Sequence, residues 1–423
     1  MKRRSSLFRP RPTLPDDVVV AEERETLSGH RLGIVTLNSE KTLNALSLEM
    51  IDRLVPIIMD WRDRDEVVAV VVRGAGDRAF CAGGDLQALY YAMKRNREAG
   101  QIIDGTPDTF FSKEYRLDYM MHDFNKPIIS LGDGIIMGGG LGLFIASEFR
   151  VVTERTRLAM PEVTIGLFPD AGGTWIMRNL RFPAAQFLAM TGASLNTADC
   201  MKTRLGTHAI PSDKMAAVID ALADMHYVTE DKNSRRIKRR LNRLTRLKVR
   251  RHTPSNLRKH RWLLHKHLSK PKSDVKQLVA EIRSMQGKSE WIDQAIATMN
   301  RSCPTSLGIV HEQLRRCRDL EMADGFRLEL ILAVNCSRHP DFEEGIRATI
   351  IDKDSTPSWR YPSVEELPKA YIMEHFEPPW PSNPLHDIED CRTIPMALRQ
   401  QFEEEAEKKS GKKSRKSKNK VKQ

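Results

Sequence analysis

Residues 67–76 read VVAVVVRGAG, an apolar and mostly β-branched run that never alternates with polar residues and stops on glycines. A strand with one face in water alternates with a period of two, so this run belongs in a sheet covered on both faces. Next comes AFCAGGDLQAL, residues 79–89, a glycine turn opening onto a helix that carries Leu86, Leu89 and Tyr90. A turn of that kind leaves backbone N–H groups unpaired and directed outward. The pattern returns at residues 126–149, KPIISLGDGIIMGGGLGLFIASEF, as a short apolar strand, the cluster Gly138-Gly139-Gly140 and an apolar helix. Close packing of a buried helix accounts for the three glycines by itself. Two separated units of this type also allow two backbone donors to be aimed at one point, which is the geometry of an oxyanion hole. A further strand is expected in VVTERTRLAM, residues 151–160, and repeated strand-strand-helix units with parallel pairing predict an α/β spiral.

That strand leads into MPEVTIGLFPDAGGT, residues 160–174, where Glu162 and Asp170 are separated by Gly166 and Pro169 and followed by Gly172-Gly173. A helix-interior proline loses a hydrogen bond and clashes with the preceding turn, and each glycine costs about 1 kcal/mol against alanine, so the segment is a shaped loop. Either Glu162 caps a helix and Asp170 holds a turn, or the two acids face a substrate. Upstream, VVVAEER and HRLGIVTLNS alternate as strands about a turn at Ser28-Gly29. Ser47 is a good N-cap for a helix through Trp61 with Met50, Ile51, Leu54, Ile57 and Ile58 on one face. Residues 274–300 and 305–335 read as amphipathic helices, and prolines dominate from Trp359 to Pro384 as a wrapping extension.

No apolar run approaches the roughly 18 residues of a membrane helix. The cysteines at 81, 200, 303, 317, 336 and 391 form no CxxC pair and no His/Cys spacing suited to zinc, which points to reduced thiols inside a cell. His260, His265 and His267 lie in a cationic run that would repel a metal, while His311 and Cys317 read as packing residues.

The net charge of +12 is unevenly placed. Residues 2–11, 232–261 and 408–423 carry 28 Lys and Arg and no acid, so the remainder of the chain stands at −16. Two jobs on one chain would produce that separation. The Arg-rich start, MKRRSSLFRPRPTLP, fits either a mitochondrial targeting leader or a disordered basic arm. In residues 232–261, Ile237, Leu241, Leu244 and Leu247 give a narrow apolar stripe on a cationic helix. Its neutralising partner is RNA, an anionic membrane surface or solvent ions. Without aromatic stacking residues beyond Trp262, phosphate contact would be blind to sequence.

Taken together, FCAGGD at 80–85, the glycines at 138–140 and MPEVTIGLFPDAGGT resemble the crotonase (enoyl-CoA hydratase/isomerase) superfamily, and within it the 3-hydroxyisobutyryl-CoA hydrolase branch. CPTSLGI at 303–309 and DFEEGIRATIIDKDSTPSW at 341–359 look like that branch as well, so the resemblance runs from about residue 30 to residue 362. It implies a crotonase-type spiral of ββα units with a helical C-terminal part. It further implies an oxyanion hole from the backbone amides of Gly84 and Gly139, with Glu162 and Asp170 catalytic and Glu114 touching substrate. Hydratases of the superfamily place a glutamate two residues after the glycine cluster, where this chain has Gly142, and a glycine where it has Asp170. That exchange favours hydrolysis of a 3-hydroxyacyl thioester, either with Glu162 as nucleophile or through a water that Glu162 deprotonates.

The expected organisation is a basic leader over 1–17, a crotonase core over 18–225, a basic helical insertion over 226–275, a helical part over 276–362, a Pro-rich extension over 363–407 and a disordered basic tail over 408–423. The expected reaction is 3-hydroxyisobutyryl-CoA to 3-hydroxyisobutyrate and CoA, a step of valine breakdown in the mitochondrial matrix. CoA is then part of substrate and product, with no metal and no separate cofactor, and self-assembly through the C-terminal helices is common in the superfamily. The alternative implied by the basic segments is a crotonase-fold subunit of the small subunit of the mitochondrial ribosome, binding rRNA through 232–261 and 408–423.

Overall fold

Among the described residues nine strands fall into two sheets, and the way the chain alternates between them positions the other elements. The computed structural model describes residues 13–228, 230–245 and 254–390; the leader up to residue 12, Leu247, Cys391 and the basic tail lie outside the described residues. The chain divides into the units Met1–Leu385 and His386–Gln423, and of the second only residues 386–390 are described, with a 3-10 turn at Ile388–Asp390.

The large sheet runs β1 (Val19–Glu25), β2 (Arg31–Leu37), β3 (Val67–Gly74), β5 (Ile128–Gly132), β7 (Phe149–Val152) and β9 (His208–Ala209) in that spatial order. β1 and β2 form an antiparallel hairpin about Gly29, whose φ of 75° suits the turn, and every other pairing in the sheet is parallel. β3 is the uninterrupted apolar run, with residues 67–72 all buried between β2 and β5. A second, all-parallel sheet holds β4 (Ala79–Cys81), β6 (Ile135–Met137) and β8 (Arg157–Ala159). Each pass therefore places one strand in each sheet. β3 and β4 lead to α2 (Leu86–Ala99), after α1 (Leu48–Asp63); α3 (Thr106–His122) returns the chain to β5 and β6, which lead to α4 (Gly139–Ile145). This is the expected spiral.

One strand expectation changes. Residues 151–160 are two strands in two sheets, because Thr156 Oγ1 accepts from Thr153 N at 2.8 Å and donates to Gly132 O at 2.7 Å, closing a turn at Glu154-Arg155. α1 follows its pattern, with the Ser47 hydroxyl accepting from Met50 N and Met50, Ile51, Leu54, Ile57, Ile58 and Trp61 buried. Residues 274–300 contain two helices, Val275–Arg283 and Glu290–Arg301, separated at Gly287 (φ 80°) and restarted by the Ser289 cap. Residues 305–335 likewise divide between Pro304–Arg316 and Met322–Arg338. In the proline-rich stretch Val364, Leu367, Ile372, Phe376 and Leu385 are buried; Gly308 lacks the β-carbon that would collide with Ile372 and Leu367.

The cationic helix is α9 (Glu230–Leu244), after α5 (Gly173–Asn179), α6 (Phe182–Thr191), α7 (Thr197–Thr203) and α8 (Met215–Ala223). Its apolar stripe is a packing face. Ile237 and Leu241 are fully buried in the core cluster that includes Ile34, Val71, Ile129 and Val151 of the large sheet and Leu222 of α8, with Leu244 packed against it. Arg240 donates to Ala221 O and Asp224 O at the end of α8, an end whose carbonyls a cation satisfies well. Lys232, Arg235, Lys238, Arg239 and Arg243 are exposed and make no ion pair among the described residues. Leu241→Ala should cost about 2–5 kcal/mol by cavity formation, whereas Lys238→Ala should stay within about 0.5 kcal/mol, read from urea unfolding midpoints. Equal effects would place the stripe in solvent.

Candidate active site

Parallel pairing of β4 with β6 brings the turns that follow them side by side. Gly83 (φ 115°) and Gly138 (φ 51°) lie face to face: a β-carbon built on Gly138 would be 3.3 Å from the Gly83 Cα. Leu46 bridges the first turn by donating to Gly83 O at 2.7 Å and accepting from Asp85 N at 2.9 Å, which leaves the N–H of Gly84 between those two bonds. Gly139 opens α4, where the first N–H groups of any helix lack intrahelical partners. Among the described residues neither the Gly84 nor the Gly139 N–H enters a turn, cap or side-chain hydrogen bond. Gly140 serves packing, since a β-carbon there would be 2.3 Å from Cys81 O. The glycine cluster therefore combines close packing at Gly140 with an N–H at Gly139 that enters no turn or cap bond among the described residues.

Glu162 leaves β8 on a 3-10 turn, Glu162–Ile165, and is buried. Its Oε1 lies 3.6 Å from the β-carbon position of Gly138, and its Oε2 has no hydrogen-bond partner among the described residues. Asp170 Oδ2 accepts from the Tyr115 hydroxyl at 2.6 Å. The side chain of Glu162 caps no helix and that of Asp170 reaches across to α3, so the cap-and-turn reading does not describe where these carboxyls go. The loop between and after them is held from the C-terminal helices. Glu329 accepts from Gly172 N at 2.8 Å and Thr174 N at 2.7 Å, and Gln313 donates to Pro169 O and to Thr174 Oγ1, each at 2.9 Å. Those bonds hold Ala171 at φ 50°, a left-handed conformation that a non-glycine residue rarely adopts without such support.

α3 supplies the third wall. Glu114 Oε1 would be 1.9 Å from a β-carbon on Gly139, so only glycine admits the carboxyl there. Asp118 sits one turn on, with its Oδ2 2.6 Å from a β-carbon position on Gly142. The structure thus brings Gly84, Gly139, Glu114, Glu162 and Asp170 to one place and adds Tyr115, Asp118 and Glu329, which the sequence reading passed over. A signal existed for two of them: Asp118 and Glu329 are acids inside otherwise apolar helix faces. His260, His265 and His267 do not converge: His260 meets Asn256 O and Ser289, and His267 meets Glu281. Among the described residues no three His, Cys, Asp or Glu side chains are grouped to hold a metal.

Five carboxyls share this buried region, and burial is the largest influence on each. It raises Glu114, Asp118 and Glu162 well above the usual carboxylate range, with Asp170 adding to the shift of Glu162. Glu329 is pushed up to about 8 by burial, opposed by the amides it accepts from. Asp170 is pushed up only to about 6, because the Tyr115 hydroxyl stabilises its anion. Asp170 is thus the readier of the pair to ionise, and Glu162 the readier to keep a proton.

Because these acids bind protons more tightly folded than unfolded, their contribution to stability is full below about pH 4 and is lost as pH rises past 6 and 8. Asp118→Asn removes a buried acid with no partner on either oxygen among the described residues. It should stabilise the chain by about 1–3 kcal/mol at pH 8 and leave it unchanged at pH 4, measured by thermal unfolding at both values; no gain at pH 8 would contradict this electrostatic reading.

Residues 32–376 match the model of the enoyl-CoA hydratase/isomerase family. The chain is 34% identical over 356 residues to a Gallus gallus protein named 3-hydroxyisobutyryl-CoA hydrolase, mitochondrial, covering 82% of this chain and 86% of the relative. The Homo sapiens protein of the same name is 32% identical over 351 residues, with the same coverage. Among solved structures, a carnitinyl-CoA dehydratase from Mycobacterium thermoresistibile superposes with a TM-score of 0.75 at 27% identity over 88% of this chain and 99% of that one. An enoyl-CoA hydratase from Rhodobacter sphaeroides gives 0.71 at 27% identity over 85% and 97%.

Proposed function

We propose, from the premise that this chain belongs to the enoyl-CoA hydratase/isomerase family, that it is an acyl-CoA thioesterase acting on a short 3-hydroxyacyl-CoA such as 3-hydroxyisobutyryl-CoA. The observation that carries the reading is at Gly142. A β-carbon there would be 2.6 Å from Asp118 Oδ2 and 2.8 Å from Ala171 O, so no side chain can enter from that position to share a water with Glu162. The second acid of the site comes instead from the loop, as Asp170. An arrangement with one carboxyl by the glycine turns and another held by Tyr115 suits attack on a thioester better than addition of water across a double bond. The names of the relatives support the same reaction.

In this mechanism the thioester oxygen accepts from the Gly84 and Gly139 amides, each worth about 3–4 kcal/mol as the oxygen gains charge. Once its proton has passed to Asp170, Glu162 either attacks the carbonyl carbon, giving an anhydride that water opens, or deprotonates the attacking water. Asp170 binds the 3-hydroxyl and moves a proton to the departing sulfur, while Glu114 lines the acyl end beside Gly139. CoA is part of the substrate and the product, and the mechanism uses no metal and no separate cofactor. The proposed location is the mitochondrial matrix, in line with the mitochondrial names of the relatives, and the proposed assembly is a homo-oligomer through the C-terminal helices. Glu162→Gln and Asp170→Asn should each lower kcat for thiol release by at least about 100-fold. Full turnover by Glu162→Gln would overturn the assignment.

A second role is favoured by one observation: α9 docks by its apolar stripe and turns Lys232, Arg235, Lys238, Arg239 and Arg243 outward without ion pairs among the described residues. Such a face can bind rRNA in the small subunit of the mitochondrial ribosome, together with the basic tail at 408–423. Sedimentation of a mitochondrial lysate should then place the chain with the ribosome at low salt and release it at high salt, since phosphate contacts exchange for counterions; sedimentation as a small oligomer at both would exclude this role.

A further inference from the structure

α3 carries Glu114, Asp118 and His122 at successive four-residue steps, so the three side chains follow one slowly winding face of the helix. Glu114 lies against Gly139 at the thioester end. One turn on, Asp118 is 0% exposed and neither of its carboxyl oxygens has a hydrogen-bond partner among the described residues. A turn further, the buried Nε2 of His122 is also without a partner, and His122 lines an open cleft of about 640 Å³ with Ser147, Arg150, Trp175 and Arg204. The cleft takes in Ile145 at the end of α4, whereas Gly139 begins that helix, so cleft and donor pair lie at opposite ends of α4. Eight residues of helix span about 12 Å. Buried polar atoms without partners are rare, and three of them on consecutive turns form an arrangement that ordered water satisfies.

Thioester hydrolysis breaks the C–S bond, forms a C–O bond and consumes one water. Of the water's two protons, one ends on the departing sulfur and the other is left over when the product leaves as a carboxylate. That surplus proton starts among the buried acids Glu162 and Asp170, so it needs a polar path to solvent. We propose that Asp118 and His122, linked by water, form a rear path that carries this proton from the Glu162 and Asp170 pair to solvent in the cleft. His122 suits the last step. Burial and the neighbouring Arg150 hold its imidazole down to about 4, so it is neutral at rest. A neutral imidazole can take a proton on one nitrogen while releasing one from the other.

The inference rests on the thioesterase reading, and the test separates the two. Asp118→Asn and His122→Ala, with Glu162 and Asp170 intact, should lower kcat for thiol release by about 10- to 100-fold while KM stays within about three-fold. Imidazole, small enough for the cleft, should restore kcat to His122→Ala and leave Asp118→Asn unchanged. If His122→Ala does not fold, His122→Gln replaces it, since an amide keeps the polarity but cannot relay a proton, and it should lose kcat equally. Values of kcat within two-fold of wild type for these variants while Asp170→Asn is inactive would overturn the rear path and leave the thioesterase reading standing. So would a loss in His122→Ala that imidazole does not repair. A wild-type chain that releases no thiol would overturn the thioesterase reading itself.

Discussion

The close approach of two glycine turns governs the rest of the site. Gly83 and Gly138 can face each other at this distance because neither carries a β-carbon and because β4 and β6 are parallel neighbours in a small sheet. Parallel neighbours place equivalent ends of successive passes together, so the residues after the two turns, Gly84 and Gly139, lie at the same end of the small sheet. Everything acidic is then arranged around that edge. Glu162 arrives from the third strand of the same sheet, and Glu114 fits against Gly139 only because that position is also a glycine.

The acids in turn depend on elements remote in sequence. Asp170 is fixed at one end by Tyr115 from α3 and, through its loop, by Glu329 and Gln313 from the C-terminal helices. Its readiness to ionise relative to Glu162 follows from the tyrosine hydroxyl, which stabilises one anion and not the other. Two carboxyls of the same intrinsic chemistry thereby come to differ in how they hold a proton, and a single proton can be shared between them.

How much of this the sequence displays depends on how local each cause is. Strand β3, the two glycine turns, the Ser47 cap and the Glu162 to Asp170 loop are written in short contiguous stretches, and they were readable. The break within 151–160 depends on a threonine hydroxyl closing a turn, which hydrophobic pattern does not show. Tyr115 and Glu329 matter through tertiary contacts with residues 55 and 157 positions away; nothing local marks Tyr115, and Glu329 shows only as an acid inside an apolar helix face. Asp118 left a visible trace as an acid one turn after Glu114 in a largely apolar helix face, yet its significance appears only once Gly142 is seen against it. The stripe of α9 was legible as amphipathic, whereas its burial against the sheet was not, because the surrounding charge dominates the pattern.

The central claim is that the Gly142 exchange turns this fold from water addition toward thioester cleavage. It is tested most directly by giving the purified chain 3-hydroxyisobutyryl-CoA and, separately, the 2-enoyl-CoA of the same carbon skeleton. The account predicts free thiol from the first and no hydration of the second. Hydration of the enoyl thioester without thiol release from the hydroxyacyl one would contradict it.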